Sequence, residues 1–151
     1  MRCAVPADHA AITACVTAAY TPWIDEIGVT PAPLADDYAA HLARHHIWVA
    51  EAHGQLVGLI VLIVEPEHLL VETVAVTPAW QNRGVSRALF ATADQVARQS
   101  ARHQLRLYTH KKMTRNVALY LRRGWRESDR RAEHRVDRVY MERALPDEIR
   151  A

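Results

Sequence analysis

Cysteine is almost missing from this chain: Cys3 and Cys15 are the only two in 151 residues, and they share neither a C-x-x-C nor another ligand spacing. That excludes a disulfide framework and a cysteine-based zinc site, and leaves both thiols as small buried hydrophobes. Long apolar runs are missing too. The longest, residues 55–65 (QLVGLIVLIVE), falls short of the roughly 18 to 20 residues that a membrane-spanning helix requires. The opening MRCAVPADHA lacks the basic, apolar and small-residue order of a secretory leader. The expectation is a soluble, cytoplasmic protein with no membrane partner. Repeats, low-complexity tracts and linkers are also absent, so a single domain over residues 1–145 with a short tail, 146–151, is expected. A domain of this size buries roughly two-thirds of the surface its unfolded chain exposes.

What the chain does have is an uneven distribution of charge. Residues 1–97 hold 4 Lys/Arg against 10 Asp/Glu, and residues 98–143 hold 14 against 5, behind a net charge of only +2. The basic half has no recognition motif, and the overall positive charge is weak, which argues against nucleic acid. Lys111, Lys112, Arg115, Arg122 and Arg123 are instead placed to meet a polyanionic small molecule or to form a solvated face. The acidic residues Asp25, Glu26, Asp36 and Asp37, beside Trp23 and Tyr38, suit an amine or a solvated acidic surface.

Taken in order, Arg2 to Val5 reads as a short strand, and a helix capped by Asp8 follows, with Ile12, Cys15, Val16 and Ala19 at helical spacing. Prolines and Gly28 break the segment from Tyr20 to Leu34, a loop suited to a lid, before a second helix from Leu34 to Arg44. His41 and His45 lie four apart, but no third ligand is placed with them, so a metal is not expected. Strands follow at 46–52, 55–65 and from Leu69, the 55–65 run reading as buried on both faces. A helix from Ser86 to about Ser100, a strand at 105–109, a helix at 114–123 stopped by Gly124, and two closing strands complete the chain.

The stretch from Leu69 to Leu89, LLVETVAVTPAWQNRGVSRAL, is where strand, loop and helix meet. An apolar strand ends at Thr77-Pro78, and a polar loop, Gln81-Asn82-Arg83-Gly84, opens a helix whose first amides and macrodipole favour an anion. Val74-Ala75-Val76-Thr77-Pro78 followed by Gln81-Asn82-Arg83-Gly84-Val85-Ser86 resembles the acetyl-CoA signature of the GNAT superfamily of N-acetyltransferases. Ser86 stands where the family carries Gly or Ala; it is still small, and its hydroxyl can cap the helix or donate to phosphate. Asn116 to Trp125 (NVALYLRRGW) resembles the family's second signature.

The resemblance implies an α/β (α+β) GNAT fold, with a mixed sheet of about six to seven strands and about four helices. It also implies an acetyl-CoA-dependent N-acetyltransferase acting by direct transfer in a ternary complex, with a small-molecule or peptide amine as acceptor and a homodimer as the favoured assembly. On the same basis Val74, Ala75, Val76, Gln81, Asn82, Arg83, Gly84, Val85, Ser86, Asn116 and Tyr120 hold the cofactor, and Tyr120 is the general acid for the leaving thiolate. Glu72 is the base candidate from the sequence itself, as the only ionisable side chain in an apolar strand, two and four residues from Val74 and Val76 and so expected on their face. A structural acceptor role for Glu72, His110 as the base, and a water relay remain open. The rival class is a non-catalytic acyl-CoA-binding or regulatory module.

Overall fold

The computed structural model describes residues 1–133 and 136–145; the 146–151 tail lies outside them. Seven strands form one sheet in the order β1-β2-β3-β4-β5-β7-β6. They are β1 (Arg2–Cys3), β2 (Ile47–Ala52), β3 (Gln55–Val64), β4 (Leu69–Val76), β5 (Gln104–His110), β6 (Arg126–Glu133) and β7 (Val136–Ala144). Five α-helices accompany it: α1 (His9–Tyr20), α2 (Trp23–Ile27), α3 (Tyr38–Ala43), α4 (Val85–Gln99) and α5 (Thr114–Arg122). This is the mixed α/β architecture the sequence predicts, with all neighbours antiparallel except β4 and β5.

Each face of the sheet has its own core. Leu89, Phe90, Ala93 and Ala97 of α4 pack with Ile60, Leu62, Leu69, Val71, Leu105, Leu107 and Met141. Ile12, Cys15 and Val16 of α1 and Leu42 of α3 pack with Ile47, Val49, Leu59 and Val61 on the other face. Leu59 to Leu62 are therefore buried on both sides of β3, which is why this strand reads as a nearly continuous apolar run.

Local boundaries depart from expectation where side-chain chemistry outweighs pattern. Asp8 takes the expected N-cap position of α1, but its side chain does not bond the helix: the carboxylate accepts from the Val5 amide (2.8 Å) and binds Arg2, which holds it down to about pKa 2. The second helix is short because Ala32–Ala35 form a separate 3-10 turn, and Asp37 caps α3 by accepting from the Ala40 amide at 3.1 Å. That helix ends at Ala43, and His45 takes a left-handed φ of 58°. The histidine that reaches His41 is consequently His46 (Nδ1 to Nδ1 3.3 Å), while His41 Nε2 meets Asp36 at 2.8 Å. No cluster of three or more metal-ligating side chains occurs among the described residues, and none of their helices is long and apolar enough to cross a membrane.

Two features of β4 shape everything that follows. In the β3–β4 register Val61 faces Thr73 and Leu62 faces Val71, which leaves Glu72 as an extra residue without a partner, a β-bulge. The parallel pairing of β4 with β5 then stops at Val71 and Leu107, although β4 runs on to Val76 and β5 to His110. The two strands part, and a cleft opens between them.

Candidate active site

The bulge corrects the expected position of Glu72. Val71 belongs to the same α4-side core as Val74 and Val76, so the alternation slips by one residue at Glu72. Instead of sharing the face of Val74 and Val76, the Glu72 carboxylate lines a pocket under the α2–α3 segment. There it accepts a hydrogen bond from Tyr108 Oη at 2.7 Å. Burial and the Glu72 charge together push the Tyr108 hydroxyl up, so it stays a donor.

This pocket encloses about 370 Å³. Ile27, Val29, Pro31 and Pro33 wall one side, Val71 and Leu107 another, and Asp36, His110 and Arg138 supply further polar groups. His110 Nδ1 accepts from the Lys112 amide (3.1 Å). Burial is the main reason its pKa is lowered, and Lys112 and Lys111 add to the effect against Asp137.

A second cleft of about 520 Å³ lies between the end of β4, the start of α4 and α5, lined in part by Val74, Val76, Gln81, Asn82, Gly84, Ser86, Arg122 and Arg123. The loop that forms its mouth turns on two left-handed residues, Asn82 (φ 63°) and Gly84 (φ 86°). Gly84 is the N-cap of the 15-residue α4 and no side chain caps that end, so the first amides of the helix face the cleft uncovered by a cap. The other loop side chains serve the scaffold. Gln81 Nε2 donates to the Val76 carbonyl (3.1 Å), Arg83 stacks on Trp80 at 5.2 Å, and the Ser86 hydroxyl, expected to cap or to meet phosphate, accepts from Arg123 Nη1 at 3.2 Å. Of the cations expected here, Arg115, Arg122 and Arg123 line the cleft, Arg115 while paired with Glu26 (3.0 Å), whereas Lys111 pairs with Asp137 (2.7 Å).

The two cavities meet. Tyr20, Val74, Asn116 and Tyr120 line both of them. Asn116 and Tyr120 share one face of α5, one turn apart. The Tyr120 ring is fixed edge-on against Phe90 (5.8 Å) and tilted against Trp125 (5.9 Å). Burial pushes its hydroxyl up to about 12 against the lowering influence of Arg123, so it remains protonated at neutral pH. Tyr20 Oη donates to the Val74 carbonyl at 2.6 Å, closing one strand acceptor at the junction.

Sequence reasoning missed Tyr20, Tyr108, Arg138 and Gly58. Tyr108 had a signal, since it alternates with the apolar Leu105 and Leu107 and so points away from the α4 core. Gly58 had none: a Cβ there would lie 2.8 Å from Val85 Cγ1 and 3.2 Å from the Ala75 carbonyl oxygen, so its absence lets the start of α4 approach β3.

A strand that parts from its neighbour, an uncapped helix N-terminus and a protonated tyrosine come together where the two cavities meet. The model of the acetyltransferase (GNAT) family matches residues 12–125, and the chain belongs to that family of acetyl-CoA-dependent acetyltransferases. No curated protein sequence matches it. Among solved structures, PaiA N-acetyltransferase from Thermoplasma acidophilum in complex with coenzyme A superposes with a TM-score of 0.76 at 16% identity, covering 95% of this chain and 96% of that one. Ribosomal-protein-S18-alanine N-acetyltransferase from Escherichia coli gives 0.75 at 16% identity, over 97% and 93%. Nourseothricin acetyltransferase gives 0.61 at 25% identity; there the match covers 66% of this chain and only 65% of that one.

Proposed function

We propose that the chain transfers an acetyl group from acetyl-CoA to a primary amine directly, within a ternary complex, with the cofactor in the α4–α5 cleft and the amine in the pocket of Glu72. The observation that carries this reading is the meeting of the two cavities at Tyr20, Val74, Asn116 and Tyr120. The residues present fit the cofactor: the Asn82 and Gly84 turns expose the α4 amides, and Arg122 and Arg123 stand beside them for phosphate. Bound there, acetyl-CoA supplies a thioester carbonyl and departs as a thiol.

The protein's own groups handle the protons. An amine enters as an ammonium and must lose one before its nitrogen can form the new amide bond. Glu72 is the base: Tyr108 holds Oε1, and the carboxylate keeps lone pairs for the ammonium. His110 is less suited, because the Lys112 amide donates to Nδ1 and so places the ring proton of neutral imidazole on Nε2. Such a ring offers the pocket a donor. As the carbon–sulfur bond breaks, Tyr120 gives its hydroxyl proton to sulfur and regains one from the nitrogen that has formed the amide, so of the two protons the ammonium loses one rests on Glu72 and the other replaces the one Tyr120 gave, and the products are an N-acetyl amide and a thiol.

Glu72→Gln tests the assignment, since it keeps an acceptor for Tyr108 and removes the base. Thiol release at neutral pH should fall by about 10²-fold or more, with coenzyme A affinity by calorimetry unchanged. A rate within a few-fold of wild type would leave Glu72 a structural partner of Tyr108.

A further inference from the structure

The acceptor pocket carries charges of both signs in a defined arrangement. Glu72 and Asp36 are its carboxylates, and Arg138 of β7 is its guanidinium. Tyr108 joins the two kinds: its hydroxyl donates to Glu72 Oε1 at 2.7 Å, and the Arg138 Cζ stands 4.4 Å from the centre of its ring. A carboxylate and a guanidinium are thus held to one tyrosine, at its hydroxyl and over its ring. Arg138 has protein contacts beyond this stack, and a guanidinium, with five N–H donors, serves more than one partner.

Other amines fit this arrangement less well. A polyamine would bring a second ammonium toward Arg138. A peptide N-terminus has no carboxylate beside its amine to meet the guanidinium. The remaining wall, with Ile27, Val29, Pro31 and Pro33, is apolar and bounds a cavity of about 370 Å³, near the lower end of the 300–1,000 Å³ range typical of small-molecule sites.

We propose that the acceptor is a free α-amino acid with an apolar side chain, its ammonium received at Glu72, its carboxylate at the Arg138 guanidinium and its side chain on the Ile27–Pro33 wall; this rests on the assignment of that pocket to the acceptor. The bidentate geometry of guanidinium and carboxylate supplies the discrimination.

Three acceptors of one carbon skeleton test it: L-leucine, L-leucinamide and 3-methylbutylamine. By thiol release, the wild type should prefer leucine to both others by about 10- to 100-fold in kcat/KM. Arg138→Gln should bring leucine down to their level, read as the ratio of the three rates within the variant, and Arg138→Lys should recover part of the preference. Binding gives a readout independent of turnover: with coenzyme A present, leucine should raise the melting temperature of the wild type and 3-methylbutylamine should not. If Arg138→Gln does not fold, the wild-type series and the melting shifts decide alone. Equal rates on all three acceptors, an equal loss on all three in Arg138→Gln, or no melting shift with leucine would overturn the proposal. Turnover of 3-methylbutylamine without turnover of leucine would overturn the amino-acid assignment and leave amine acetylation standing. A leucine-specific melting shift with no turnover of any acceptor would keep the recognition and remove the catalytic reading.

Discussion

The proposed cofactor cleft offers backbone amides and fixed positive charge, and the proposed acceptor pocket offers titratable side chains. At the cleft stand two left-handed residues, the amides opening α4 and guanidinium charges. Across Tyr20 and Val74, the pocket is closed by an apolar wall and by groups whose protonation matters, Glu72, Asp36, His110 and the hydroxyls of Tyr108 and Tyr120. The difference follows from what each must bind. A pyrophosphate is met by any chain that turns its amides inward at a helix start, whereas an acceptor is selected by which side chains reach it and by where their protons are.

The largest effect should come where the two regions touch. Tyr120→Phe keeps the ring contacts with Phe90 and Trp125 and removes the proton. It should lower kcat by about 10² to 10⁴-fold with coenzyme A affinity nearly unchanged. Because burial pushes this hydroxyl up to about 12, wild-type kcat should show no alkaline loss from it below about pH 10. A Phe variant within a few-fold of wild type would make Tyr120 a packing residue of the cofactor side alone.

Gly84→Glu should act on the cleft and spare the pocket. A non-glycine residue at φ 86° costs about 1–2 kcal/mol of fold stability, and the new carboxylate faces the phosphate position. Coenzyme A affinity by calorimetry should drop by about 10²-fold, while the leucine-dependent melting shift, read without coenzyme A, keeps its wild-type size. Equal loss in both would mean that the two cavities are one site energetically.

The same contrast explains what the sequence could disclose. The cleft's requirements are local: a strand end, a left-handed glycine and a helix start lie within 69–89, and Asn116 and Tyr120 share one short helix. Local order survives in the linear string. The pocket is assembled from α2, the turn before α3, β4, β5 and β7, so no spacing announces it. Glu72 shows the boundary, since its residue type was legible as unusual in an apolar strand, but its direction was not. The bulge that turns it depends on how β4 pairs with β3, a non-local choice. Gly58 is likewise legible only once Val85 is seen against it.

A pH measurement separates the regions next. Histidines 46, 68 and 110 all have pKa values lowered, chiefly by burial. The unfolded chain therefore takes up protons first as pH falls through about 6.5, and stability rises with pH wherever the unfolded state binds more protons. Their contribution is fully present above that value and is lost as pH drops toward the lowered folded-state values. Denaturant unfolding should show less stability at pH 5.5 than at pH 7.5, with a flatter dependence in His110→Gln. None of the residues lining the cofactor cleft is a histidine, so coenzyme A affinity per folded molecule should stay level over the same interval. A parallel fall in that affinity would place a titrating group in the cleft.

The smallest effect belongs to a charged clasp that joins the two sides. Arg115 of α5 pairs with Glu26 of α2 at 3.0 Å and lies 4.5 Å above the Trp23 ring. The α2 helix supplies acceptor wall through Ile27, and α5 supplies the cofactor side through Tyr120. The pair is well exposed, 70% and 50% by side chain, and an exposed ion pair contributes about 0–1 kcal/mol. Glu26→Gln should therefore shift stability by less than about 1 kcal/mol, and about 0.5 M salt should reproduce most of that shift in the wild type by screening. Its kinetic signature is more informative than its size. Because the clasp spans both walls, acceptor KM and coenzyme A affinity should move together and by similar small factors. Movement of one alone would assign Arg115 to that cavity and dissolve the link between the two regions.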